Sequence, residues 1–102
     1  MRSLTSMADL DALLQEAGPV LLLKHSTTCP ISAAALEEVE AWGGDFVYLD
    51  LLAHRDVSNA IAARLNVRHE SPQALLVKGG RAAGVLNHDD ITRDALSRLV
   101  TK

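Results

Sequence analysis

The residues with chemistry to offer cluster in one stretch, Lys24-His25-Ser26-Thr27-Thr28-Cys29-Pro30-Ile31-Ser32, which holds the only cysteine among 102 residues. A lone sulfur cannot close an internal disulfide, so it either packs as a small apolar residue or serves as a reactive thiol. The polar Ser-Thr-Thr-Cys-Pro setting favours the reactive thiol. Pro30 suits the first turn of a helix, where its missing N–H is not needed, and this puts Cys29 at a helix N-terminus. Unpaired N–H groups and the helix dipole stabilise a thiolate there, and the thiolate is the form that attacks sulfur. Thr28 and Pro30 flank the thiol, and His25 and Lys24 upstream add positive potential if they face it. Ser32, three residues on, can hydrogen-bond the thiolate but cannot close a disulfide with it. Dithiol exchange within one chain is thereby excluded. What remains is a monothiol cycle, in which Cys29 takes a small thiol from a mixed disulfide and passes it to another thiol.

The elements that must position this stretch follow from periodicity and breakers. A helix is expected over 6–17, capped by Ser6, with Leu10, Leu13, Leu14 and Ala17 on one face and Gly18-Pro19 as its stop. Val20-Leu21-Leu22-Leu23 is too short for a helix between breakers and reads as a strand buried on both faces. The helix after Cys29 runs over 31–42, with Ala34, Ala35, Val39 and Trp42 inward, and Gly43-Gly44 stops it. A second strand is expected over 45–52 around Val47 and Leu49. A third helix covers 54–65, with Asp56 or Ser58 at its start. A third strand spans 73–78, Gly79-Gly80 signals a hairpin, and a fourth strand spans 81–86. Residues 87–90 supply caps for a last helix with Ile91, Ala95, Leu96, Leu99 and Val100 inward.

The order αβαβαββα is that of an α/β, thioredoxin-like fold: one domain over 1–102, with a four-stranded mixed sheet and helices on both faces. In that layout the loop after the first strand faces the turn before the third, which brings Cys29 near Ser71 and Pro72. Pro72 resembles the cis-proline of this fold. Beside it, Arg68 could receive a carboxylate of a small thiol, or be a solvated loop charge. Trp42 reads as packing, and His54 and His88 as members of helix-start clusters.

Bulk properties narrow the class. The net charge of -3 and the pI near 5.7 provide no basic field for nucleic acid or an anionic membrane. No apolar run approaches a membrane span, no export signal is evident at Met1 to Met7, and scattered histidines lack metal spacing. The expected compartment is the cytoplasm, where a free thiol stays reduced.

Four ordered motifs carry a resemblance: Lys24 to Ser32 as above, His54-Arg55-Asp56-Val57-Ser58-Asn59, His69-Glu70-Ser71-Pro72-Gln73, and His88 ahead of Ile91-Thr92. Together, across nearly the whole chain, they resemble the monothiol bacilliredoxins, the YtxJ-like thioredoxin-fold proteins. The resemblance implies bacillithiol as co-substrate, with no permanently bound cofactor and no metal, and S-bacillithiolated proteins as partners. Cys29 would attack the mixed disulfide and become bacillithiolated, with Ser71 and Pro72 lining the thiol site. The fourth strand departs from the pattern, since Ala83-Gly84-Val85-Leu86 lacks an aromatic residue. Two other readings compete: a glutathione-type monothiol glutaredoxin, with or without an iron-sulfur cluster between two subunits, disfavoured by the proline and because Cys-Pro-Ile-Ser is not the Cys-Gly-Phe-Ser of the cluster-binding proteins, and a thiol-sensing adaptor without turnover.

Overall fold

A run that is apolar at every position belongs in a strand covered on both sides, and the segment beginning at Val20 occupies the middle of the sheet. The computed structural model describes residues 2–101. In chain order the elements are β1 (Arg2–Ser3), α1 (Met7–Leu14), β2 (Val20–His25), α2 (Pro30–Trp42), β3 (Val47–Asp50), α3 (Arg55–Leu65), β4 (Gln73–Lys78), β5 (Arg81–Asn87), a 3-10 turn (His88–Asp90) and α4 (Arg93–Val100). The sheet runs β1-β3-β2-β4-β5; β1 and β2 flank β3 in parallel, β4 is antiparallel to β2, and β5 to β4. No helix among the described residues is long and apolar enough to cross a membrane.

The sheet therefore has five strands, not the four expected. The extra one is two residues long, too short to show alternation, and exists through pairing with β3: Arg2 N–H donates to the Phe46 carbonyl and Leu4 N–H to that of Tyr48. Boundaries differ from those expected at exposed residues such as Ala17 and also at buried ones, Phe46 and Leu51. The first helix stops at Leu14 rather than 17, with Ala17 exposed, and the strand expected over 45–52 keeps only Val47–Asp50. Beyond it the Asp50 carboxylate accepts the N–H groups of Leu52 and Ala53 and turns the chain. The strand ahead of Cys29 continues past Leu23 through Lys24 and His25. The last helix is capped by Thr92, whose hydroxyl accepts the Ala95 N–H, and residues 88–90 form the 3-10 turn instead.

β2 alternates between two cores. Leu22 packs with Leu10, Leu13, Val57, Ile61 and Leu75 under α1 and α3, whereas Leu21 and Leu23 pack with Ala35, Val39, Leu76, Leu96 and Leu99 under α2 and α4. The expected hairpin is present: Gly79 and Gly80 have φ of +60° and +74°, which glycine alone adopts without cost. The atypical β5 has a packing reason, because a Cβ on Gly84 would lie 2.2 Å from Leu99 Cδ1. Leu99 of α4 leaves no room for a side chain at that position.

Candidate functional site

Lys24 pairs with Gln73 across β2 and β4. The loop leaving β2 toward Cys29 and the loop entering β4 through Ser71 and Pro72 therefore project from the same end of adjacent strands. The Ser71–Pro72 peptide is cis, Pro72 is buried, and its carbonyl accepts the His88 N–H at 2.8 Å.

Cys29 is the N-cap residue of α2, with extended backbone (φ -104°, ψ 121°) and partly open to solvent. Pro30, the first helical residue, contributes no N–H, and Ala33 N–H donates to the Cys29 carbonyl. The remaining first-turn donors are Ile31 and Ser32. The sulfur does not close a regular capping hydrogen bond. The Ser32 N–H still holds the thiol below its ordinary range, against partial burial, with help from the Ile31 N–H and the Ser32 hydroxyl.

Ser32 is fully buried, and its Oγ accepts the Ser26 N–H at 3.3 Å, which leaves the hydroxyl proton free for the sulfur. Ser26 in turn accepts the Cys29 N–H on its carbonyl, and its Oγ lies 3.4 Å from that of Thr28. One serine thus fixes the loop and faces the thiol, while Thr28 is exposed and Pro30 sets the turn.

The two upstream cations do not charge the site. His25 is buried against Tyr48, whose hydroxyl lies 2.8 Å from Nδ1. Burial lowers its pKa against the opposing Asp50 charge and the Ser32 backbone, so it is mainly neutral at pH 7; the buried Nε2 closes no regular hydrogen bond among the described residues. Lys24 points into the α3 layer, on the other side of the sheet from α2. Alternation along β2 dictates this, because neighbours on a strand face opposite ways.

Arg68 is almost fully exposed and lies 3.4 Å from the Glu70 carboxylate, which also meets His88 Nε2 at 3.2 Å. Its side chain is an outer, solvated charge. Ser71 Oγ is buried without a partner among the described residues. Beside the first turn of α2 lies a groove of about 340 Å³, lined by Pro30, Ile31, Ala34, Glu38, His88 and Asp89 among others. Ile31 is half exposed there, and Ala34, expected inward, faces the groove. Among the described residues no three His, Cys, Asp or Glu side chains gather as a metal would require.

The family described as "Monothiol bacilliredoxin BrxC" matches residues 2–96. The chain belongs to the monothiol bacilliredoxin family. A solved thioredoxin-fold protein proposed to be an oxidoreductase is similar to this bacilliredoxin at 35% identity and a TM-score of 0.89, over 96% of this chain and 91% of that one. Fasciola hepatica thioredoxin superposes with a TM-score of 0.77 at 19% identity, over 99% and 97% of the two chains. Malassezia sympodialis thioredoxin reaches 0.81 at 11% identity, over 99% and 88%. Those two likenesses concern the fold. With its single cysteine, the bacilliredoxin is a thiol-disulfide oxidoreductase of the thioredoxin fold. No motif pointed to the contacts beneath the proline loop, where Lys24 bonds Ser58 and His69 and Gln73 bonds the Arg68 carbonyl and Asn87; a lysine and a glutamine at facing register positions of apolar strands were the available signal.

Proposed function

We propose that this protein removes bacillithiol from S-bacillithiolated proteins, with Cys29 as the nucleophile. The observation that carries the reading is a partly exposed sulfur facing the Ile31 and Ser32 donors, with a buried hydroxyl where a resolving thiol would have to stand. The Cys29 thiolate attacks the bacillithiol sulfur of the mixed disulfide. A Cys29–bacillithiol disulfide forms, the client's sulfur leaves as a thiolate and takes up a proton, and no net oxidation occurs. A second thiol then attacks the adduct and releases Cys29. Ser71 and Pro72 line the incoming disulfide, and the groove by Ile31 receives the client's flanking residues. A compartment with a reduced thiol pool, such as the cytoplasm, suits a catalyst that needs its sulfur free.

The reading is tested by exposing the reduced protein to oxidised bacillithiol and, separately, to oxidised glutathione, followed by mass spectrometry. An adduct on Cys29 is expected with the first and not the second. With a bacillithiolated client and excess reductant, released bacillithiol should exceed the protein many times over, and Cys29→Ser should abolish release. A single stoichiometric labelling that then stops would replace the enzyme by a sensor.

A further inference from the structure

Lys24 is the only lysine, arginine or carboxylate side chain that is fully buried among the described residues. No carboxylate accompanies it. Its Nζ donates to the Ser58 carbonyl of α3 at 3.2 Å and to His69 Nδ1 at 3.0 Å, and its cross-strand neighbours, Leu49 on β3 and Gln73 on β4, are uncharged. Ser58 Oγ lies 3.4 Å from the same His69 nitrogen, and the charged groups acting on His69 are Lys24, Glu70 and Arg55. An ammonium in such a place is costly to bury, and an apolar chain of the same length would pack there at lower cost.

What the lysine reaches explains its presence. His69 stands three residues before Pro72, in a segment, 67–70, that is neither helix nor strand. Gln73 Nε2 grips the same segment from β4 through the Arg68 carbonyl, at 2.9 Å. Two side chains from adjacent strands therefore hold the proline loop from beneath, and one of those strands runs directly into Cys29.

We propose that Lys24 is a positioning residue for thiol-disulfide exchange: its bond to His69 holds the loop so that Ser71 and Pro72 face the sulfur at the end of the same strand. This rests on the reading of Cys29 as nucleophile. His69 must be neutral to accept the bond, since its protonation sets two cations against each other. Burial and the Lys24 charge both lower the His69 pKa, which carries the link into mildly acidic conditions. Burial also brings the lysine to about 8, above which the neutral amine donates more weakly. The positioning effect is strongest between those limits.

The test pairs two rates on the same variants: exchange with a mixed-disulfide client, which needs the loop, and alkylation of Cys29 by iodoacetamide, which does not. Lys24→Met and His69→Leu should each slow exchange about tenfold, mainly through a higher KM, and leave alkylation within about twofold. The double variant should be no slower than either single one. His69→Asn, which keeps an acceptor near the Nδ1 position, should restore most of the loss and flatten the acid limb of the exchange profile. Normal exchange in Lys24→Met, parallel falls in exchange and alkylation, or losses that multiply in the double variant would each overturn the proposal. Should Lys24→Met fail to fold, His69→Leu, at the solvent end of the link, reads the same contact. A wild-type chain that exchanges with no client removes the Cys29 reading as well, and is told apart because the other failures occur with an active wild type.

Discussion

Replacing Ser32 by alanine separates the two tasks of its hydroxyl. The first is to donate to the Cys29 sulfur, where it is the weakest of three helpers behind the Ser32 and Ile31 N–H groups. Both backbone donors survive the substitution, and the sulfur is open enough for water to replace part of what is lost. On the acid limb of the profile, where the thiolate fraction limits the rate, iodoacetamide alkylation should slow roughly two- to fivefold. At pH 10, where every chain carries a thiolate, it should be no slower, because a more basic thiolate is intrinsically somewhat more nucleophilic. The second task is to accept the Ser26 N–H at 3.3 Å in a buried loop. Leaving that donor unpaired costs about 1 kcal/mol, or about 4–8 °C in Tm for a domain of this size. The assay is the alkylation rate against pH, with a thermal melt on the same samples. A profile displaced downward at every pH would mean that Ser32 only shapes the loop. An unchanged acid limb would mean that its hydroxyl does not reach the thiolate.

Ser32→Cys should convert the monothiol cycle to a dithiol one: after attack on a bacillithiolated client, bacillithiol leaves and a disulfide between Cys29 and the introduced thiol accumulates, detected as the loss of both free thiols. Lys24→Met should raise stability at neutral pH by on the order of 2 kcal/mol, judged from a lysine lowered from 10.5 to about 8 by burial. The sign follows from linkage: the unfolded chain holds the Lys24 proton more tightly, so wild-type stability climbs between pH 8 and about 10.5 and the advantage of Met shrinks across that window. Urea melts at pH 7 and pH 10 check this, and an equal advantage at both would refute it. His25 is held neutral by burial, so its contribution to stability is lost as pH falls through and below the usual histidine range; His25→Phe should flatten that part of the stability curve. Tyr48→Phe should cost about 1–2 kcal/mol in urea melts, because the buried His25 Nδ1 loses its 2.8 Å partner.

Much of the site was legible in the order of residue types. Pro30 after Cys29 announced a helix start, and the start is where the sulfur stands. Ser32 at the third position beyond it marked a cycle without a resolving thiol, and the chain's membership of the bacilliredoxin family agrees. Gly79-Gly80 forms the hairpin it signalled. The direction of the upstream cations was not legible. Lys24 and His25 sit side by side in the sequence, and a strand sends one under α3 and the other toward Tyr48, so neither supplies charge to the thiol.

Local pattern determined which segments are strands and helices, and placed a lone thiol at the head of one helix, because periodicity, proline and glycine act within a few residues of themselves. Tertiary structure alone decided the fifth strand, the room that Gly84 leaves for Leu99, and the bond from Lys24 to His69. These depend on partners far apart in the chain, 45 residues apart in the last case, and on which face of the sheet each side chain finds. Such pairings are settled by packing and register, which no neighbouring residue encodes.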